Sequence, residues 1–480
     1  MISTGLDERN FMEDKEKEKN KEKEKEKGKE EKEPLSTREK IKLILDIGQL
    51  MMENGADSKQ IVRDMLRCAA YLGIYWEQIQ IHITYFTIMI SVDEEEKAIT
   101  MFRKCYRHGV NMNTILQVSR LSWRALQNNE PYGMLREHLQ EIRQNAEKRL
   151  YSPAMTFCAI GLASAAFCLL FGGAWYEAIY TFFAAVIGAV MRSFCERNMI
   201  NGYLGIAASA FASTFTAYFS MYLPGNASPW LPVVACALTL VPGIPLINSV
   251  DDFLNNYISS GMTRVTHTIL IMFAMTFGIA ASVSITQVPS FTQVNILPES
   301  LFISQAVAAA LAAAGFVVMF NIPRRFIAAA CMGAIITVDV RNILMVDFGM
   351  GIAFASFLGA ATLSVLLFSL AYKFHEPVFV VIIPSVIALL PGVLLYRFLF
   401  GIIVISNQTA ETFLMTVRDG VTAMLVLLGL AIGAALPEVL GHRYIERSKE
   451  KRLRRLLVRK DSAVARYKDA ADLDQASNRT

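Results

Sequence analysis

Few residues in this chain have the type and spacing to do bond-making chemistry. Its seven cysteines stand at 68, 105, 158, 168, 195, 236 and 331 with no CxxC pair, and its six histidines show neither HExxH nor His-x-x-His spacing. That pattern argues against a disulfide framework and against a metal site, and no motif for a cofactor is present. Cys68, His82, Cys105 and His108 could be imagined as a Cys/His pair, but no nucleophile motif flanks them, and an active site needs a constellation with geometry. The chemistry that remains is recognition by polar groups around two helix breaks. Residues 238–261, LTLVPGIPLINSVDDFLNNYISSG, begin as an apolar helix and are interrupted at Pro242 and Gly243. Asn248, Ser249, Asp251, Asp252 and Asn255 follow at once. Proline removes a backbone donor and clashes with the preceding turn, and glycine releases the chain from helical geometry. Within lipid such a break persists only where it faces protein or water. Freed helix N–H groups suit a carboxylate, and the Asn and Ser side chains suit a hydroxyl and an ammonium. Asp251 and Asp252 cannot both be buried and charged cheaply, so one is a candidate to carry a coupling proton. The plainer alternatives are a packing kink and a wet acidic loop. The second break, LLPG at residues 389–392, repeats the device with Pro391 and Gly392.

The elements that must position these residues follow from composition. Of 480 residues, 53% are hydrophobic, yet the charges are segregated. Residues 151–442 hold 9 Lys/Arg and 11 Asp/Glu, and the remaining 188 positions hold the other 70 charges. This is an all-α polytopic membrane protein with water-soluble ends. The net charge of +4 is too small and mixed to argue for nucleic acid. No secretory signal is evident, since the first apolar run follows a charged stretch.

Residues 1–34 read as a disordered Lys/Glu tail, since residues 13–33 are almost wholly Lys and Glu with nothing apolar to bury. Residues 35–150 read as a small cytoplasmic α+β domain. Helices are expected around 41–52 and 61–72, closed by Gly55 and Gly73. One long or two short strands are expected at 78–92, and helices at 94–107, 114–127 and 131–150. Ten apolar spans follow, at about 154–172, 176–194, 203–222, 230–247, 266–286, 301–320, 326–340, 350–371, 378–400 and 421–440. Lys and Arg gather at one set of loops, which places both termini in the cytoplasm. The basic tail, 443–480, is suited to anionic membrane lipid.

The membrane region repeats itself at an offset of 149 residues. Pro242/Pro391, Gly243/Gly392, Arg192/Arg341, Phe167/Phe316 and Phe171/Phe320 all obey it. Five spans per half is an odd number, so residues 151–290 and 298–442 form two inverted five-helix repeats, an architecture of secondary transporters with broken helices at matching positions. Arg192 falls at the cytoplasmic end of the second span and Arg341 at the outer end of the seventh. They are either attractors for a substrate carboxylate or structural partners of Glu196, Asp339 and Asp347.

Several stretches resemble the bacterial threonine/serine exporter family in its fused form. They are GQLMMENGADSKQIVRDMLRCAAYLG at 48–73, VPGIPL at 241–246, the SGMTR segment at 260–264, and the LLPG segment in the second half, which resembles the companion subunit of split members. The resemblance covers about residues 37–442. It implies an inner-membrane exporter of small polar amino acids, and similar two-component members are associated with succinate. The second half departs from the first in having Leu394 where the first has Pro245. The expected function is therefore proton-driven export of threonine and serine by alternating access, with no enzyme activity. The alternatives are export of a dicarboxylate and a non-transporting sensor or scaffold. Expected partners are the small substrate and membrane lipid, with no nucleic acid; a homo-oligomer is compatible with the sequence.

Overall fold

The structure, a computed structural model, describes residues 35–94, 97–128, 131–222, 230–286, 302–374, 379–403 and 409–436. The Lys/Glu tail and the basic tail expected to meet lipid lie outside them.

The N-terminal unit begins with α1 (Thr37–Glu53) and α2 (Ser58–Tyr71). Ser36 and Glu39 close a reciprocal capping box on α1, and the Asp57 side chain accepts from Gln60 N on α2. Gly55 and Gly73 end these helices at positive φ, as their positions suggest. Strands β1 (Ile79–Ile83), β2 (Thr87–Glu94) and β3 (Lys97–Lys104) form an antiparallel sheet in the order β1-β2-β3. Helices α3 (Met112–Asn128) and α4 (Tyr132–Ala146) complete the unit. Ile41, Ile44 and Met51 of α1, Ile61 and Met65 of α2, and Ile88 and Ile90 of β2 are fully buried together. The helix expected over 94–107 is instead β3. Met89 pairs with Phe102 and Ile90 with Met101, so KAITMFRK takes its conformation from β2 beside it. Its own pattern is short and ambiguous, and strand preference depends on the neighbouring strand.

The rest of the described chain is helical. Seven helices are long and apolar enough to cross a membrane. They are α5 (Pro153–Leu170), α6 (Trp175–Arg197), α7 (Gly202–Tyr218, extended by a short 3-10 turn), α10 (Ile258–Thr286), α11 (Phe302–Met319), α12 (Ile327–Val346, entered through a 3-10 turn) and α16 (Ala410–Leu436). Two further spans are bent pairs. α8 (Trp230–Leu238) meets α9 (Gly243–Leu254) at 59°, and α14 (Phe379–Val386, with a 3-10 turn to Leu389) meets α15 (Gly392–Ile403) at 55°. With each pair counted once, length and composition support up to nine spans. The remaining apolar helix is α13 (Ile352–Phe374). The span expected at 326–340 is longer than its apolar run, because the helix continues to Val346 through Asp339 and Arg341.

Small residues set the packing. A Cβ on Gly278 of α10 would lie 2.1 Å from the Ala207 carbonyl oxygen of α7, so the two backbones meet where only glycine fits. α5 and α11 cross at Phe167 and Phe316, whose ring centroids are 5.8 Å apart. Each ring stacks within its own helix on the aromatic one turn later, Phe171 or Phe320. All four positions obey the 149-residue offset.

Candidate functional site

The two breaks have the same backbone construction. In the first, Val241 N donates to Leu238 O at 3.1 Å and Gly243 N to Val241 O at 2.8 Å. In the second, Leu390 N donates to Ile387 O at 3.1 Å and Gly392 N to Leu390 O at 2.8 Å. Helical bonding resumes with Leu246 N to Pro242 O and with Leu395 N to Pro391 O. Every one of these pairs moves onto its counterpart by adding 149. Pro245 therefore sits inside the first turn of α9, where its missing N–H costs no helical bond. It does remove one free donor, so α9 opens with fewer unpaired N–H groups than α15, which has Leu394 there.

The breaks also touch each other reciprocally. A Cβ on Gly243 would lie 2.5 Å from Leu390 Cδ1 and 3.3 Å from Ile387, and one on Gly392 would lie 2.7 Å from Leu238 Cδ2 and 3.8 Å from Val241. Each contact is the other with the halves exchanged, as in an isologous interface. At this crossing lies a cavity of about 40 Å³, lined by side chains that include Phe167, Thr239, Phe316 and Phe320. That volume admits a few waters at about 10–15 Å³ each. It is too small for a free amino acid. No charged side chain is among its described lining residues.

Of the residues singled out from sequence, Pro242, Gly243, Pro391 and Gly392 come together at this crossing. The polar stretch of α9 points elsewhere. Asn248 Nδ2 donates to Gly55 O at 3.0 Å, reaching the α1–α2 loop of the N-terminal unit. Asp252, fully buried, accepts from Ser58 N and from Ser58 Oγ, both at 3.0 Å. Its Oδ2 also lies 2.9 Å from Arg264 Nε on α10. Ser58 Oγ contacts Ser260 Oγ at 2.8 Å, and Arg264 donates to Ala56 O at 2.9 Å. Arg264 is 1% exposed and stacks over Tyr85 at 4.7 Å. Burying this charge is tolerable only because a carboxylate, a carbonyl and an aromatic face enclose it. Ser249 bonds back to Leu246 O, and Asn255 to the carbonyl of the half-buried Asp251.

The same N-terminal unit reaches the second half of the chain. Asn321 Nδ2 donates to Asn111 Oδ1 at 2.8 Å, Met112 N to Phe320 O at 2.9 Å, and Leu150 N to Asn321 Oδ1 at 2.8 Å. Beside Arg264, His108 stacks on Tyr85 at 4.0 Å and lies 6.2 Å from His267. Burial, then His267 and Arg264, pushes the His108 imidazole down to about 4.

The two arginines are not equivalent. Arg192 is exposed and pairs with Glu196 one turn on at 3.1 Å. Arg341 bonds through Nε and Nη2 to Asn342 Oδ1 at 3.1 and 2.9 Å, not to Asp339 or Asp347, and Asn342 bonds onward to Gln305 of α11. Neither lies among the lining residues of the crossing cavity. Sequence reasoning missed Thr239, which does line it, and Ser164, whose Oγ is 3.2 Å from Thr239 Oγ1. It met Arg264 only as the last residue of the SGMTR segment and as one of the basic residues at the cytoplasmic loops. The available signal was the departure from the repeat, since the positions 149 residues on from Ser164 and Thr239 are Ala313 and Ala388.

Comparison with known proteins identifies the family. The model of the family described as "Putative threonine/serine exporter" matches residues 42–286, and that of "Threonine/Serine exporter, ThrE" matches 305–440. A "Threonine/serine exporter" of Corynebacterium glutamicum is 19% identical over 417 residues, covering 84% of this chain and 82% of the relative. A "Probable succinate transporter subunit YjjP" of Escherichia coli K12 is 25% identical over 249 residues, covering 52% of this chain and 95% of the relative. No solved structure matches the chain. The family matches span both the N-terminal unit and the two breaks, and the family is one of membrane exporters and not of enzymes: the chain belongs to the threonine/serine exporter family.

Proposed function

We propose that this protein exports serine and threonine across the inner membrane by alternating access about the crossing of its two broken helices. The observation that carries this reading is the crossing itself. Two breaks with matching backbone hydrogen bonds meet reciprocally over a small cavity with no charged side chain among its described lining residues. An amino acid zwitterion has no net charge, and its carboxylate is served by the unpaired N–H groups at the starts of α9 and α15. A dicarboxylate would bring two negative charges to walls without a cation, at high cost in an apolar setting. The name of the Escherichia coli relative favours succinate as the second reading.

The exchange of contacts between halves supports an inverted repeat, with ten spans once α13 is counted. In this reading both termini and the N-terminal unit are cytoplasmic. The unit straddles the cytoplasmic face, holding α9 and α10 of the first repeat and the α11–α12 connection of the second. A coupling proton is proposed at the Asp251–Asp252 pair, of which Asp252 is engaged by Arg264 and Ser58. The test is efflux of labelled serine, threonine or succinate from loaded vesicles containing the protein, with and without a proton gradient. Gradient-dependent efflux of the two amino acids is expected. Efflux of succinate alone would select the second reading.

A further inference from the structure

Three pairs of residues related by the 149-residue offset line the cavity at the crossing, Phe167/Phe316, Leu238/Ile387 and Val241/Leu390, and its polarity is one-sided. Phe167 faces Phe316 edge to face, and Val241 is matched by Leu390. Thr239 departs from this pairing. It is the only hydroxyl among the described lining residues. Its Oγ1 lies 3.2 Å from Ser164 Oγ, and Ser164 is fully buried on α5. The equivalent positions in the second half, Ala313 and Ala388, are both buried and carry no polar atom on their side chains. Burying two hydroxyls in an apolar bundle costs free energy unless each is hydrogen-bonded. A hydroxyl offers one donor and two acceptor lone pairs, so the contact with Ser164 leaves Thr239 with capacity toward the cavity.

We propose that Thr239, oriented by Ser164, is the specificity-determining residue of the site and bonds the side-chain hydroxyl of the transported amino acid. The inference rests on the export reading above and names the group that selects its substrate. Thr239 is supplied by the first break alone, so it also fixes which way round the substrate lies. An apolar pocket separates compounds differing by one methyl group weakly, whereas a site that bonds a hydroxyl rejects the analogue lacking it. Discrimination therefore falls between threonine and 2-aminobutyrate, and between serine and alanine. Ser164 acts as a positioning residue.

The full-length protein in vesicles, loaded in turn with threonine, serine, 2-aminobutyrate and alanine, tests this by initial efflux rate. Thr239→Val should lower the threonine to 2-aminobutyrate ratio by about tenfold or more while efflux of 2-aminobutyrate stays within about twofold. Thr239→Ser should recover the ratio, and Ser164→Ala should lower it less. An unchanged ratio in Thr239→Val overturns the proposal, as does an equal loss of all four substrates that Thr239→Ser does not repair. Should Thr239→Val fail to reach the membrane, an unchanged ratio in Ser164→Ala overturns it instead. A wild type that moves none of the four removes the export reading together with this one. A wild type that moves threonine, with a ratio insensitive to these variants, removes this one alone.

Discussion

At the scale of residues, two kinds of close contact dominate. Gly243 and Gly392 are small because the opposite break occupies the space a side chain would need. Gly243→Val should cost about 1–3 kcal/mol of stability through overpacking. Leu390→Ala, which removes the obstructing methyl, should return part of that loss in the double variant, as a thermal-unfolding cycle in detergent would measure. Gly392→Val with Leu238→Ala should behave alike. Asp252 and Arg264 present the opposite case, a buried pair closed on itself. Asp252→Asn leaves the guanidinium buried and uncompensated, and should destabilise the protein by about 3–5 kcal/mol. Asp252→Asn with Arg264→Met should cost clearly less than either alone, and an additive result would show that the pair is not coupled. Nearby, His108 is held neutral, pushed down to about 4 by burial, His267 and Arg264. Unfolded histidine titrates near 6.5, so the unfolded chain binds more protons between that pH and 4. The histidine's contribution is whole above about 6.5 and falls away as pH drops toward 4. Unfolding temperature should decline over that window, and His108→Phe should flatten the decline.

At the scale of elements, the informative contrast is between the bent helices and β3. A Pro-Gly pair in a 20-residue apolar run announces a break wherever it lies, because the missing donor and the carbonyl clash are local. The bends at 59° and 55° were therefore legible. β3 was not, since its eight residues carry mixed polarity and become a strand by pairing with β2. The breaks should be functional as well as structural. Pro242→Ala, which permits a straighter helix, should leave membrane levels near wild type and lower efflux several-fold. Unaltered efflux would reduce the break to a packing kink. The destination of α9 was likewise hidden. Its Asn248 and Asp252 read as substrate ligands from sequence, and the structure holds Asn248 against the α1–α2 loop and Asp252 against the start of α2. Which polar face meets substrate and which meets another domain is set by helix rotation and docking, and neither is encoded in spacing.

At the scale of the whole molecule, the N-terminal unit joins both halves of the membrane region, through Ser58–Asp252 on one side and Asn111–Asn321 on the other. Residues 13–33 before it are almost wholly Lys and Glu, with no apolar side chain with which to dock. Removal of residues 1–34 should leave unfolding temperature and efflux unchanged, and lost efflux at normal membrane levels would assign the tail a partner. Sequence by itself determined the membrane class, the 149-residue repeat and the positions of both breaks, because apolar length, proline geometry and identity at a fixed offset are properties of the chain alone. Only the tertiary structure decided that the breaks pack reciprocally, that Asp252 is committed to Arg264 and Ser58, and that Thr239 faces the cavity. One of these contacts, Ser58 with Asp252, joins residues 194 positions apart. No local pattern specifies a contact of that range; it exists only once helices with many interchangeable small and apolar residues have settled on one packing.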